Sequence, residues 1–186
     1  MVRAYRNQLS SYNGYMRTNA PELGADLLVD FLNTYDVEDD VDAIDDAAGF
    51  AAWAEARGVE AGDAAETKRV RDALRSVVDG EAADLPSVEL ETICGERSVW
   101  LTARTAAQAA VASSLVLSIQ GKLERVKLCG ADDCRWAFYD KSRNGSRTWC
   151  SMGVCGNRQK ARTYRSKAGE TEAEPEPTAA RDAEPA

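Results

Sequence analysis

The chain has 186 residues, of which 23 are basic, 31 are acidic and none is histidine, so its formal net charge is −8. Its length allows one domain with a sizeable core plus a small module. Because the sequence also lacks a phosphate-binding glycine loop and a nucleophile elbow, we do not expect an enzyme. No secretory signal is visible, and no apolar run reaches the roughly 18 residues of a membrane span. These features predict a cytoplasmic protein that does not enter a membrane.

Charge is unevenly distributed along the chain. Residues 1–121 hold 10 basic and 21 acidic residues, a net of −11, whereas residues 122–167 hold 12 basic and 4 acidic residues, a net of +8. The last segment, 168–186, has a net charge of −5. A basic stretch between two acidic ones is typical of a part that binds a polyanion.

Helical patterns predominate in the first two thirds of the chain. Residues 1–20 are polar and are expected to be poorly ordered. Apolar residues recur at helical spacing from Leu27 to Tyr35, between Asp46 and Gly58, and between Asp63 and Gly80. We therefore predict three helices there. Apolar residues alternate with polar ones between Val88 and Leu101, which predicts a short β-hairpin after these helices.

The longest predicted helix runs from Thr105 to Val126. Its apolar stripe consists of Val111, Leu115, Ile119, Leu123 and Val126. Only two residues separate its predicted end from Cys129, so we expect this helix to couple the N-terminal domain to the module that follows. Residues 21–126 are accordingly predicted to form one helical domain.

Four of the five cysteines lie close together in the sequence. Cys129 and Cys134 are separated by four residues, fifteen residues follow, and Cys150 and Cys155 repeat the first spacing. Two such pairs are the ligand pattern of a structural zinc site, and four thiolates leave no open position on the metal for a water. Two disulfides are the alternative, but they belong to oxidising compartments. The fifth cysteine, Cys94, is expected to be a buried free thiol without a role.

The residues around these cysteines predict a small ββα-like module. A half-buried strand is expected from Arg135 to Asp140, a turn at Asn144-Gly145, and a returning strand from Arg147 to Trp149. A helix follows Cys155, with a short apolar stripe that we expect to pack against the module. The stripe consists of Ala161, Tyr164 and Ala168.

Basic side chains of this module are the candidates for nucleic-acid contact. They are Arg143, Arg147, Arg158, Lys160, Arg162 and Arg165. Two alternatives stay open for Arg158, which could contact phosphate or pair internally with Asp140. Asn157 is expected to hydrogen-bond a carbonyl of the cysteine loop rather than read a base.

The segment Cys155-Gly156-Asn157-Arg158, preceded by the sequence FYDKSRNGSRTW at 138–149, resembles the CGNR zinc finger family. The resemblance covers about residues 128–165. It implies one structural zinc, DNA binding, and a helical N-terminal domain of the ABATE type, described as a "putative stress-induced transcription regulator". Leu27 to Thr34, which reads LLVDFLNT, resembles the opening motif of that domain.

Together these observations predict a mainly α (α+β) protein. Its parts are a poorly ordered start at 1–20, an ABATE-like domain at 21–126, a CGNR-type zinc finger at 127–168 and a disordered acidic tail at 169–186. The expected function is that of a zinc-dependent DNA-binding transcription regulator, whose N-terminal domain senses a signal or oligomerises. The alternative is a zinc-stabilised docking module that binds an acidic protein. RNA binding, homo-oligomerisation and a ligand of the N-terminal domain stay open.

Overall fold

The computed structural model describes residues 21–94 and 97–171, with side chains as far as residue 166. It divides the chain into two compact units, of which the first ends at Cys150 and the second begins at Ser151. The predictions for residues 1–20 and for the tail from residue 172 lie outside the described residues. Within the described ranges, no helix combines the length and apolar character that crossing a bilayer requires.

The described part of the first unit contains four α-helices, which confirms the mainly α class. They are α1 (Ala25–Leu32), α2 (Ala47–Glu55), α3 (Ala64–Val78) and α4 (Ala106–Ile119). The side chain of Asp63 caps α3 by accepting a hydrogen bond from the Glu66 amide (2.8 Å). Thr105 and Gln108 form a capping box at the start of α4. Both helices start where the sequence predicts. They do so because these side chains satisfy amides that lack helical partners.

Alanine-rich α4 is the central helix of the core and packs against α1 and α3. Small side chains allow the neighbouring helices to approach it closely. The core that surrounds it is apolar, and its largest fully buried aliphatic and aromatic members are Leu28, Phe31, Leu32, Val70 and Val126. Burying such side chains is the main favourable contribution to the folding of this unit.

The predicted extension of α4 to Val126 is wrong. The helix ends at Ile119, and Gly121 then adopts a left-handed conformation with φ 64°. A 3₁₀ turn, Leu123–Arg125, follows. Glycine takes this conformation readily and ends helices for that reason. The predicted stripe is also wrong at its centre, because Leu115 is exposed and Ile119 is 86% exposed.

Three antiparallel hairpins also lie among the described residues of the first unit. They are β1 (Tyr35–Asp36) with β2 (Val41–Asp42), β3 (Glu91–Cys94) with β4 (Val99–Thr102), and β5 (Val126–Leu128) with β6 (Ala137–Tyr139). The second of them is the hairpin predicted between Val88 and Leu101. Cys94 lies at its end and is exposed, so the prediction of a buried thiol is wrong.

The hairpin of the zinc module differs from the predicted one. Its second strand, β6, lies within the expected stretch, but its partner is β5 rather than the residues around Trp149. The register pairs Val126 with Tyr139 and Leu128 with Ala137. Through α1 and α3, which pack against β6 and β5, this hairpin is continuous with the helical core.

The second unit contains a π-helical turn, Met152–Gly156, and the helix α5, Asn157–Thr171. Helix α5 was predicted, but the burial of its apolar stripe was not found. Ala161 is exposed and Tyr164 is 77% exposed. A stripe of alanines and one tyrosine offers little apolar area, so its exposure costs little. The side chain of Ala168 lies outside the described residues.

Candidate zinc site and nucleic-acid interface

The sulfur atoms of Cys129, Cys134, Cys150 and Cys155 all lie within 4.8 Å of one another. None of these four described cysteines is in a disulfide, and the Sγ atoms of Cys134 and Cys150 are 3.7 Å apart. A disulfide would bring two sulfurs to about 2.05 Å. Two thiolates on one tetrahedral zinc, with bonds of about 2.3 Å, lie about 3.8 Å apart. The donor set and its spacing therefore fit one structural zinc ion, as the sequence predicted.

The first cysteine pair is held by a tight turn. The amide of Cys129 donates to the Trp136 carbonyl (2.9 Å), which extends the β5–β6 ladder to the first ligand. The amides of Cys134 and Arg135 both donate to the Ala131 carbonyl, at 2.9 and 3.1 Å. Arg135 has φ 52°, a conformation that few residues other than glycine adopt. This turn brings Cys134 back towards Cys129.

The third ligand approaches the first along a closely packed loop. The Cys150 amide donates to the Cys129 sulfur at 3.5 Å, and the Gly130 amide donates to the Thr148 carbonyl at 3.0 Å. A methyl group on Gly130 would lie 2.9 Å from the Thr148 methyl and 3.3 Å from the Trp149 ring. Glycine therefore suits this position, because a larger residue would push the Thr148 methyl group and the Trp149 ring outward.

The motif around the fourth ligand is internally bonded. Arg158 donates from its guanidinium to the Cys155 sulfur at 3.6 Å, and the Asn157 side chain donates to the Gly153 carbonyl at 3.2 Å. The expectation that Asn157 bonds a carbonyl of the cysteine loop is confirmed. Gly156 is buried, and its amide donates to the Ser151 carbonyl at 3.0 Å.

A buried ion pair organises the loop between β6 and Cys150. Asp140 is 0% exposed, and its carboxylate accepts hydrogen bonds from Lys127 Nζ (3.0 Å) and from the amides of Ser142 (2.9 Å) and Arg147 (2.8 Å). These bonds, with Ser142 contributing most, hold the pKa of Asp140 far below its usual range although burial raises it. Lys127 also donates to the carbonyls of Gly145 and Arg147. Asp140 therefore stays charged and fixes the loop.

Sequence reasoning did not identify this pair, although a signal was present. Asp140 is the only acidic residue between Arg135 and Lys167. A single carboxylate within such a basic stretch is a candidate for an internal partner of a lysine or arginine. Lys127 fills that role.

Some basic residues of the module are used inside it. Arg125 donates to the carbonyls of Asp140 (3.0 Å) and Ser142 (2.8 Å). Arg147 donates to the carbonyls of Trp149 (2.7 Å) and Cys150, and its guanidinium lies 5.0 Å from the centre of the Phe138 ring. These contacts are those of a structural residue, and the phosphate contact of Arg147 stays a prediction.

Other predicted contact residues lie at the surface. Arg143 is exposed in the loop after β6, and Lys160, Arg162 and Arg165 are exposed along α5. Arg158 is half-buried beside the Cys155 sulfur.

The fold and site define a zinc-finger protein in which a helical domain leads into a basic four-cysteine module. Residues 25–128 match the family model ABATE, "Putative stress-induced transcription regulator", and residues 125–168 match the model of the CGNR zinc finger. The chain therefore belongs to the ABATE family and carries a C-terminal CGNR zinc finger, as the resemblance implied. No curated protein shows significant similarity to it.

Proposed function

We propose that the protein is a transcription regulator that binds duplex DNA through the exposed basic residues of its zinc module. One observation carries the proposal: residues 122–167 have a net charge of +8 in a chain whose total is −8. Zinc and internal hydrogen bonds hold the loops, and the cations that are exposed to solvent can contact the phosphate backbone. The ABATE description supports a role in transcription.

The structure separates the cations that hold the module from those that face solvent. Lys127 and Arg147 belong to the first group, whereas Arg143, Lys160, Arg162 and Arg165 belong to the second. Each phosphate that a cation neutralises releases condensed counterions. Four such contacts would give a slope of about −3.6 for the logarithm of affinity against the logarithm of salt concentration.

The test is the salt dependence of duplex binding by full-length, zinc-loaded protein. Replacing Arg162 and Arg165 together by alanine should make the slope shallower by about 1.8, because two phosphate contacts are lost. The matched control replaces Arg69 and Arg104 by alanine. These two arginines are exposed in the acidic first unit, and their removal changes the net charge equally. We expect the control to keep the wild-type slope.

Equal slopes in all three proteins would contradict the proposed interface. A protein that binds neither DNA nor RNA at about 50 mM salt, yet binds an acidic polypeptide through the same arginines, would instead establish the docking function. Zinc content is measured in every sample, so that a lost interface is distinguished from a lost metal.

A further inference from the structure

Two side chains of the helical domain form hydrogen bonds to the backbone of the zinc loop, as we call residues 129–137. The first is Asn33, which follows α1. It donates from Nδ2 to the Ala137 carbonyl (3.0 Å) and accepts at Oδ1 from the Ala137 amide (2.7 Å). The side-chain amide of Asn33 thus forms the same pair of hydrogen bonds with the free edge of β6 that a neighbouring strand would form. The opposite edge of β6 pairs with β5 and with Cys129, so Asn33 supports the first zinc ligand.

The second is Arg75, a buried residue of α3. Its guanidinium donates to the carbonyls of Leu32 (2.7 Å) and Arg135 (2.8 Å). Arg135 directly follows the ligand Cys134, and its own side chain forms an ion pair with Asp79 at the end of α3. The end of α3 therefore holds both the backbone and the side chain of the residue next to the second ligand.

An arginine at the buried position 75 would not be needed if this side chain only packed against its neighbours. Within the described part of the chain it forms no ion pair, and its bonds are to carbonyls. Burial, followed by the charges of Arg71 and Arg135, lowers the pKa of the Arg75 guanidinium from its ordinary value. A buried cation without a carboxylate costs free energy that an apolar side chain would not. What the arginine provides instead is a bridge between α1 and the zinc loop.

We propose that Asn33 and Arg75 are positioning residues for zinc, which hold Cys129 and Cys134 in place so that the helical domain sets the affinity of the finger for its metal. Neither side chain is a zinc ligand. They act through Ala137 and Arg135, as the outer contacts of metal sites commonly do. The inference goes beyond the proposed function, since it concerns zinc whether or not the module binds DNA. By reciprocity, zinc binding should stabilise the packing of α1 and α3.

The test compares two arginines of one helix in the full-length protein. Arg71 lies one turn before Arg75 and is also buried, but it bonds Asp42 (2.7 Å) and Asp72 (2.9 Å), outside the zinc loop. We expect Arg75→Met to weaken zinc binding about tenfold to a hundredfold, the usual effect of losing an outer contact. Arg71→Met should destabilise the helical domain while the zinc affinity of the folded protein stays close to wild type.

Zinc affinity is measured by competition with a chromogenic chelator, well below the unfolding temperature of each variant. Cobalt substitution adds a second measurement, because its d–d bands report tetrahedral thiolate coordination. Asn33→Ala provides an independent variant, with Thr34→Val as its control. The partners of the Thr34 hydroxyl among the described residues, the Phe31 carbonyl (2.8 Å) and Arg71, both lie in the helical domain. If Arg75→Met does not fold, the Asn33 pair decides. Equal zinc affinities in Asn33→Ala and Thr34→Val, or in the two arginine variants, would overturn the proposal.

Discussion

Replacing Gly130 by alanine should disturb the zinc site through one close contact. The new methyl group would lie 2.9 Å from the Thr148 Cγ2 atom and 3.3 Å from the Trp149 ring. Ordinary contacts between carbons are about 3.5–4.0 Å, so both side chains must shift, and we expect the second loop to move outward with them by about half an ångström. Cys150 follows directly on this loop and would move with it. Overpacking of this kind costs about 1–3 kcal/mol.

The cost should fall on the zinc-bound state, because only there are the two loops held together by the metal. A loss of about 1–3 kcal/mol corresponds to zinc binding that is roughly five- to 150-fold weaker. Chelator competition on the full-length protein measures it. Gly24→Ala is the matched control, because a methyl group there meets nothing within 4 Å.

A second-site change tests the cause. Thr148→Ser removes the Cγ2 atom that the new methyl group would strike, so it should restore much of the zinc affinity lost in Gly130→Ala. Zinc affinity equal to that of Gly24→Ala, or a defect that Thr148→Ser leaves unchanged, would refute the explanation by close packing.

Three further changes probe other parts of the account. Asp140→Asn should speed amide exchange at Ser142 and Arg147, whereas Asp132→Asn, at an exposed acid of the first cysteine loop, should not; equal rates would contradict the buried pair. Burial raises the pKa of Asp42, but hydrogen bonds, led by the one from Arg71, outweigh burial and lower this pKa below its usual value. Its stabilisation is therefore present above about pH 4 and lost as the pH falls through the lowered value, so the stability gap between wild type and Asp42→Asn should be smaller at pH 3 than at pH 7. Removing residues 172–186, which hold five acidic residues and one basic residue, should raise duplex affinity at low salt a few-fold, because the acidic tail competes for the basic surface. An unchanged affinity would contradict this competition.

Local patterns in the sequence identified the parts of the protein that depend on residues close together. The four cysteines, the helix starts at Asp63 and Thr105, and the hairpin before α4 all follow from spacing or from the pattern of nearby residues. The same kind of local pattern gave a wrong prediction for the end of α4. There the apolar repeat continued past Gly121, and one glycine outweighed it because of its left-handed backbone.

Contacts between distant residues could not be predicted in this way. Asn33 and Ala137 are 104 positions apart, and Arg75 reaches a carbonyl 60 positions later. No periodicity links such pairs, and a backbone carbonyl leaves no trace in the side-chain sequence. For the same reason the sequence predicts a nucleic-acid contact for Arg147, since the carbonyls that it binds leave no signal in the sequence.

The central claim is that a zinc-supported basic module binds DNA although the protein as a whole is acidic. The most direct measurement is fluorescence anisotropy of a labelled duplex, titrated with full-length protein at about 50 mM salt, before zinc removal, after it, and after zinc is restored. We expect binding by the zinc-loaded protein, a loss of binding when chelator removes the metal, and recovery when zinc returns, because the loop that carries Arg143 and the start of α5 depend on the metal. Absence of binding in the zinc-loaded protein, or equal binding with and without zinc, would contradict the claim.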